Sequence, residues 1–80
     1  MEAYIVDLYN IRWDGKYATA DLAEEGSKKI EYTIKVDCET RELLENTHGK
    51  MNAYIAHAKK RLCILYEEGK RPKRSQVMRY

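Results

Sequence analysis

The side chains with the most to offer chemically are cations, and they crowd into the last third of the chain. Lys59, Lys60, Arg61, Lys70, Arg71, Lys73, Arg74 and Arg79 form this cluster. Residues 50–80 hold nine Lys/Arg against two Glu, a net +7. Residues 1–49 hold six Lys/Arg against eleven Asp/Glu, a net −5. A segregated basic half suits a polyanion, above all a phosphate backbone, where each Lys or Arg releases a counterion. A solvated helix face followed by a solubilising tail explains the same residues without any partner. The split would also serve head-to-tail contacts between copies of the chain.

Stacking on bases is the second chemistry the residue types allow. Seven tyrosines and one tryptophan occur in a chain with no phenylalanine. Tyr9, Tyr32, Tyr54 and Tyr66 recur at core spacings, which favours packing over recognition. Trp13 and Tyr17, near the tip of an expected hairpin, are the better stacking candidates.

Other constellations are weaker. His48, His57, Cys38 and Cys63 lack the close pairing of a zinc site, so no metal is expected. The two histidines do not converge as an acid–base pair for RNA cleavage. Asp7 falls among apolar residues, where a carboxylate needs a partner or an escape to water; no second acid or nucleophile converges on it. No RRM, KH or zinc-finger signature is present, and a single long helix excludes a helix-turn-helix. The reading is therefore non-enzymatic, with no cofactor and no evident small-molecule substrate.

Eighty residues make one domain with a small core. The opening Met1-Glu2-Ala3-Tyr4 has neither the basic nor the apolar region of a signal peptide. No stretch approaches the ~20 apolar residues that cross a bilayer, so no membrane role is expected. A cytoplasmic protein with reduced thiols is the default, with a Cys38–Cys63 disulfide as the open alternative.

The elements that must position these residues start from Ile30–Val36. Apolar and polar residues alternate there without a fault, as in a strand buried on one face. Tyr4 to Trp13 reads as a first strand, Asp14-Gly15 as a two-residue hairpin turn and Lys16 to Leu22 as a second strand. That turn opposes Ile11 to Ala18 and Tyr9 to Ala20, and Leu22 is then expected to pair with Ile30. One face would carry Tyr9, Ile11, Ala18, Ala20, Leu22, Ile30, Tyr32, Ile34 and Val36, with the two alanines making room for a helix. Asn10, Arg12, Thr19, Asp21, Glu31, Thr33 and Lys35 fall on the wet face. This layout turns Asp7 inward and Tyr4, Val6 and Leu8 outward. Either a bulge near Asp7 reverses the alternation, or the three apolar residues form a patch that something covers.

Residues 37–41 read as a turn and 42–45 as a short fourth strand or a helical turn. A helix is expected over about 49–68, capped by Asn46 or Thr47 and ended by Gly69 and Pro72. Its apolar stripe is Met51, Tyr54, Ile55, Ala58, Leu62, Leu65 and Tyr66. The expected fold class is α+β: a three- or four-stranded antiparallel β-meander with one long helix on one face. The domain spans 1–69, and a basic tail follows at 70–80. Val77, Met78 and Tyr80 in that tail should pack, either on the Tyr4/Val6/Leu8 patch or on a neighbouring subunit. Two functions stand side by side: a nucleic-acid or polyanion binder using the basic cluster, and a homodimer built on Tyr4, Val6, Leu8, Ile64, Val77, Met78 and Tyr80.

Overall fold

Four consecutive strands form a meander, and a fifth rejoins it after the helix. The computed structural model describes residues 4–24 and 29–79, with side chains from Val6 to Glu24 and from Lys29 to Val77. The elements are β1 (Tyr4–Asp14), β2 (Tyr17–Glu24), β3 (Tyr32–Asp37), β4 (Glu42–Asn46), α1 (Ala53–Glu67) and β5 (Ser75–Arg79). They make one five-stranded antiparallel sheet in the order β4-β3-β2-β1-β5, with α1 packed on it. The fold is thus α+β with a β-meander. Part of the expected tail supplies the fifth strand, on the free edge of β1.

The first hairpin turns at Gly15-Lys16, one residue later than expected, and pairs Asp14 with Tyr17. Gly15 has φ of +59° and Lys16 stays at negative φ, which fits a type II′ turn with glycine in its first central position. The register then shifts between Arg12 and Tyr9, which pair with Thr19 and Asp21. Asn10 and Ile11 therefore oppose Ala20 alone, which is a β-bulge. Asn10 occupies the left-handed region at φ of +50°, a conformation asparagine tolerates better than most residues.

This bulge answers the question that the sequence left open at Asp7, from three residues further along. Every residue before it changes face. Val6, Leu8 and Ile11 all lie in the core, while Asp7 escapes to the open side. Tyr9, expected in the core, faces outward instead.

Between β2 and β3 the pairs are Leu22 with Tyr32, Ala20 with Ile34 and Ala18 with Val36. The slip from the expected partners is two residues, so every side chain keeps its face. Ile30 drops off the end of the strand and is 45% exposed. The buried face of the sheet otherwise matches the expected stripe.

Asp37 holds the next turn. Its Oδ1 accepts the backbone N–H groups of Glu39 and Thr40 at 2.9 and 3.1 Å. Residues 42–46 form β4, against the edge of β3. Asn46 and Thr47, the expected helix caps, are used earlier: Asn46 accepts from the His48 backbone N–H at 3.0 Å, and Thr47 pairs with Thr33. Gly49 at φ of +85° keeps this segment out of the helix. The cap is Asn52, whose Oδ1 accepts the Ile55 N–H at 2.8 Å.

The helix buries Ile55, Ala58, Leu62, Cys63 and Leu65 against the sheet, where Ala18 and Ala20 are completely covered. Met51, expected on that stripe, lies outside the helix and is exposed. Gly69 at φ of +76° closes α1, with Gly69 N–H on Tyr66 C=O at 3.1 Å and Lys70 N–H on Leu65 C=O at 2.9 Å. These two bonds make a Schellman motif.

Candidate polyanion-binding face

The helix covers one side of the sheet; on the other, called the open face below, the described residues form no second layer of helix or strand, and Ala23 at its β1–β2 end is nonetheless buried. The basic cluster is divided between the two layers. Lys59, Lys60 and Arg61 ride on α1, and Arg61 Nε donates to Ser75 Oγ at 3.1 Å across to β5. Lys70 lies 3.5 Å from Glu68. Arg71 is a structural clamp: its Nη1 donates to the carbonyls of Leu65, Tyr66 and Lys70 at 3.5, 3.3 and 2.9 Å. Its guanidinium lies 5.1 Å from the Trp13 ring centre and 4.6 Å from that of Tyr66. Trp13, expected as a stacking residue, is engaged on this side too: Arg71 covers one face of its ring, and its Nε1 donates to Pro72 C=O at 2.9 Å.

Lys73 and Arg74 go the other way. The connection from α1 to β5 wraps the edge of β1, and Ile11 N–H donates to Lys73 C=O at 2.9 Å, which docks this connection on the bulge. Arg74 then lies over the Tyr9 ring at 4.7 Å. Tyr9, Asn10, Ile30, Lys73 and Arg74 line a shallow hollow of about 530 Å³. Asn10, Ile11, Arg12 and Lys73 line a second recess beside it. The open face continues over β2 and β3 with Thr19, Thr33 and Lys35. At its far end the Tyr17 ring is flanked by Lys16 and Lys35, at 5.4 and 5.3 Å from its centre.

Carboxylates interrupt this face, Glu45 among them, which lies 3.8 Å from Lys35. Asp21 accepts from Asn10 at 3.2 Å, from Arg12 at 3.3 Å and from Thr33 at 2.8 Å. Partial burial pushes its pKa up, but these hydrogen bonds and the Arg12 charge outweigh burial, and the carboxyl titrates below its ordinary range. Asp7 lies near Arg74 at the β5 end, where both line a further hollow with Tyr9.

The remaining shifted groups belong to the scaffold. The Thr40 backbone N–H leads the contacts that lower the Asp37 pKa, with Lys16 adding an ion pair at 3.4 Å. Burial raises the Tyr32 phenol to about 12; the hydroxyl donates to Glu24 at 2.8 Å and accepts from Asn52 at 3.3 Å. Cys38 and Cys63 are free thiols in contact within the core, and burial raises Cys38 to about 12. Among the described residues no cluster of His, Cys, Asp and Glu has the makings of a metal site, and no helix is long and apolar enough to cross a membrane.

Three residues of the expected self-association surface are used within the chain. Val6 and Leu8 are in the chain's own core and Val77 packs against it, because the bulge and β5 together absorb these residues. Ile64 is half-buried. Tyr4, Met78 and Arg79 contribute backbone to the β1–β5 pairing, and their side chains, like Tyr80, lie outside the described residues.

Set against known protein families, curated proteins and solved structures, the chain matches none.

Sequence reasoning missed that Tyr9, which meets Arg74, and Arg12, which shares a recess with Lys73, lie on one face with Lys35. The signal that would have found them is Asn10: an asparagine inside a strand pattern is a residue fit for a left-handed bulge, and a bulge there turns Tyr9 outward.

Proposed function

We propose that this chain is a small non-enzymatic binding module that takes a polyanion, nucleic acid first, on its open sheet face. The observation that carries the reading is the placement of Lys73 and Arg74. The α1–β5 connection delivers both to the face that already holds Tyr9, Arg12 and Lys35, so cations distant in sequence line one surface. Phosphate binding needs such a track of exposed, long, cationic side chains. The groups with strongly shifted ionisation, Tyr32 and Cys38, are held in core contacts and do not line the hollow, whose own residues offer binding rather than proton transfer. Relative to the basic cluster expected from sequence, the surface keeps Lys73 and Arg74, adds Arg12 and Lys35, and leaves Arg71 as part of the scaffold.

The test is the salt dependence of binding to a fluorescent generic RNA or DNA. Affinity should fall steeply between ~50 and ~200 mM salt, with a log–log slope near −0.7 for each phosphate neutralised on a single strand. The Lys73→Gln/Arg74→Gln double variant should bind more weakly and with a shallower slope. No binding at ~50 mM salt would remove the reading.

A further inference from the structure

The open face carries more than charge, and the additional features narrow the ligand. Tyr9 is a half-buried ring beside the left-handed Asn10, next to the exposed Ile30, and the Arg74 guanidinium covers it at 4.7 Å. A planar guanidinium on an aromatic ring makes a layered platform that can receive another flat π-system, either on the cation or in its place. The hollow of about 530 Å³ at this platform has an apolar wall at Ile30 and a cationic rim at Lys73 and Arg74. The second ring, Tyr17, lies four residues from Asp21 along β2, roughly 13 Å from the Tyr9 pairing position at strand rise. Arg12 and Lys35 lie between the two rings. Each has a carboxylate beside it, Asp21 at 3.3 Å and Glu45 at 3.8 Å, and each still keeps a sizeable part of its side chain in water, 56% and 38%.

We infer that the open face binds single-stranded nucleic acid, with one base stacked on the Tyr9–Arg74 platform and the phosphates running past Lys73 and Arg12 towards Lys35 and Tyr17. The inference rests on the polyanion reading above and specifies its ligand. A sulfated glycan or an anionic lipid headgroup would satisfy the cations but has no flat ring for the platform. Duplex DNA would satisfy the cations too, but its bases are already stacked and unavailable to Tyr9.

The experiment compares a labelled ten-nucleotide oligo-dT with an abasic oligomer carrying the same number of phosphates, at ~50 mM salt. The oligo-dT should bind more tightly by roughly 5- to 150-fold, the range expected for one stacked base. Tyr9→Leu should bring oligo-dT close to the abasic affinity with its salt slope unchanged, and circular dichroism should confirm that it is folded. Tyr9→Trp should keep the preference and gain a fluorescence quench that oligo-dT produces and the abasic oligomer does not. Equal binding of both oligomers, or a Tyr9→Leu variant that retains the preference, overturns stacking while leaving polyanion binding intact. Tighter binding of a duplex of equal length overturns single-strand selectivity. Failure of both oligomers to bind overturns the polyanion reading, and this inference with it.

Discussion

Deleting Asn10 should leave the faces of β1 as they are. Asn10 and Ile11 together oppose Ala20, so without Asn10 the pairs Tyr9–Asp21, Ile11–Ala20 and Arg12–Thr19 run on as a regular ladder. Val6, Leu8 and Ile11 then still point into the core, and Asp7 and Tyr9 still point away from it. The losses are local: the Asn10–Asp21 hydrogen bond at 3.2 Å and the fit of the Lys73 carbonyl on the Ile11 N–H. At about 0.5–1.5 kcal/mol for each bond, the cost should be about 1–3 kcal/mol. A slip of one residue would instead turn Val6 and Leu8 to water, at about 1.5–3 kcal/mol each, and bury Asp7. An 80-residue domain has roughly 4–12 kcal/mol in total, so a slip would consume much of it and a regular ladder would not. Substitutions probe the bulge itself. Asn10→Gly keeps the left-handed position and should stay within about 1 kcal/mol of the parent. Asn10→Val places a β-branched residue at positive φ and should cost about 1–2 kcal/mol. Urea unfolding followed by Trp13 fluorescence measures all three. A deletion variant that loses more than ~4 kcal/mol would refute this pairing of β1 with β2 on either side of the bulge.

Three further outcomes follow from named contacts. Arg71→Ala should lower stability by about 1–2 kcal/mol, through lost stacking on Trp13 and Tyr66 and lost bonds to the helix-end carbonyls, and thermal unfolding will show it. Asp37 and Asp21 have depressed pKa values in the fold, so each contributes stability above its unfolded pKa of about 3.9 that is lost as pH falls through the folded value. Denaturation midpoints should therefore drop between about pH 4 and pH 2, and the drop should be smaller in Asp37→Asn, where a parent-like drop would acquit Asp37. Cys38 and Cys63 should resist iodoacetamide at pH 8 in the native protein and react on unfolding, because both are buried and Cys38 is a poor acid at about 12; rapid native labelling would contradict their packing.

Much of the scaffold was legible because local and tertiary signals agreed. Ile34, Val36, Ala18, Ala20 and Leu22 alternate strictly, and even a two-residue error in the β2–β3 register left each on its proper face. Gly69 marks the end of α1 because only a left-handed residue completes the motif there. The start of α1 was harder to read. Asn46, Thr47 and Asn52 all have capping side chains, and the first two were claimed by β4 and its turn. The candidate face was half legible. Composition locates Lys73 and Arg74 but not their side of the sheet, which depends on β5 pairing with β1 more than sixty residues away in sequence. Tyr9 could not be told from a core tyrosine, since period-two reasoning carries any undetected bulge as an error through the rest of the strand.

The bulge ties stability to recognition and also lets the two be separated. It sends Leu8 inward and Tyr9 outward, so adjacent residues of one strand should give opposite phenotypes. Leu8 is fully buried, and Leu8→Ala should cost about 2–5 kcal/mol through lost transfer energy and the cavity left behind. Tyr9→Leu removes a half-buried ring from the open face and should cost well under that. Binding of oligo-dT, measured at a temperature where both variants are folded, should reverse the order. Leu8→Ala should bind like the parent because the hollow of Tyr9, Lys73 and Arg74 is intact, whereas Tyr9→Leu should lose its preference for bases. If both variants lose binding in proportion to their loss of stability, the face owes its affinity to the integrity of the fold alone, and the ring has no separate part in it.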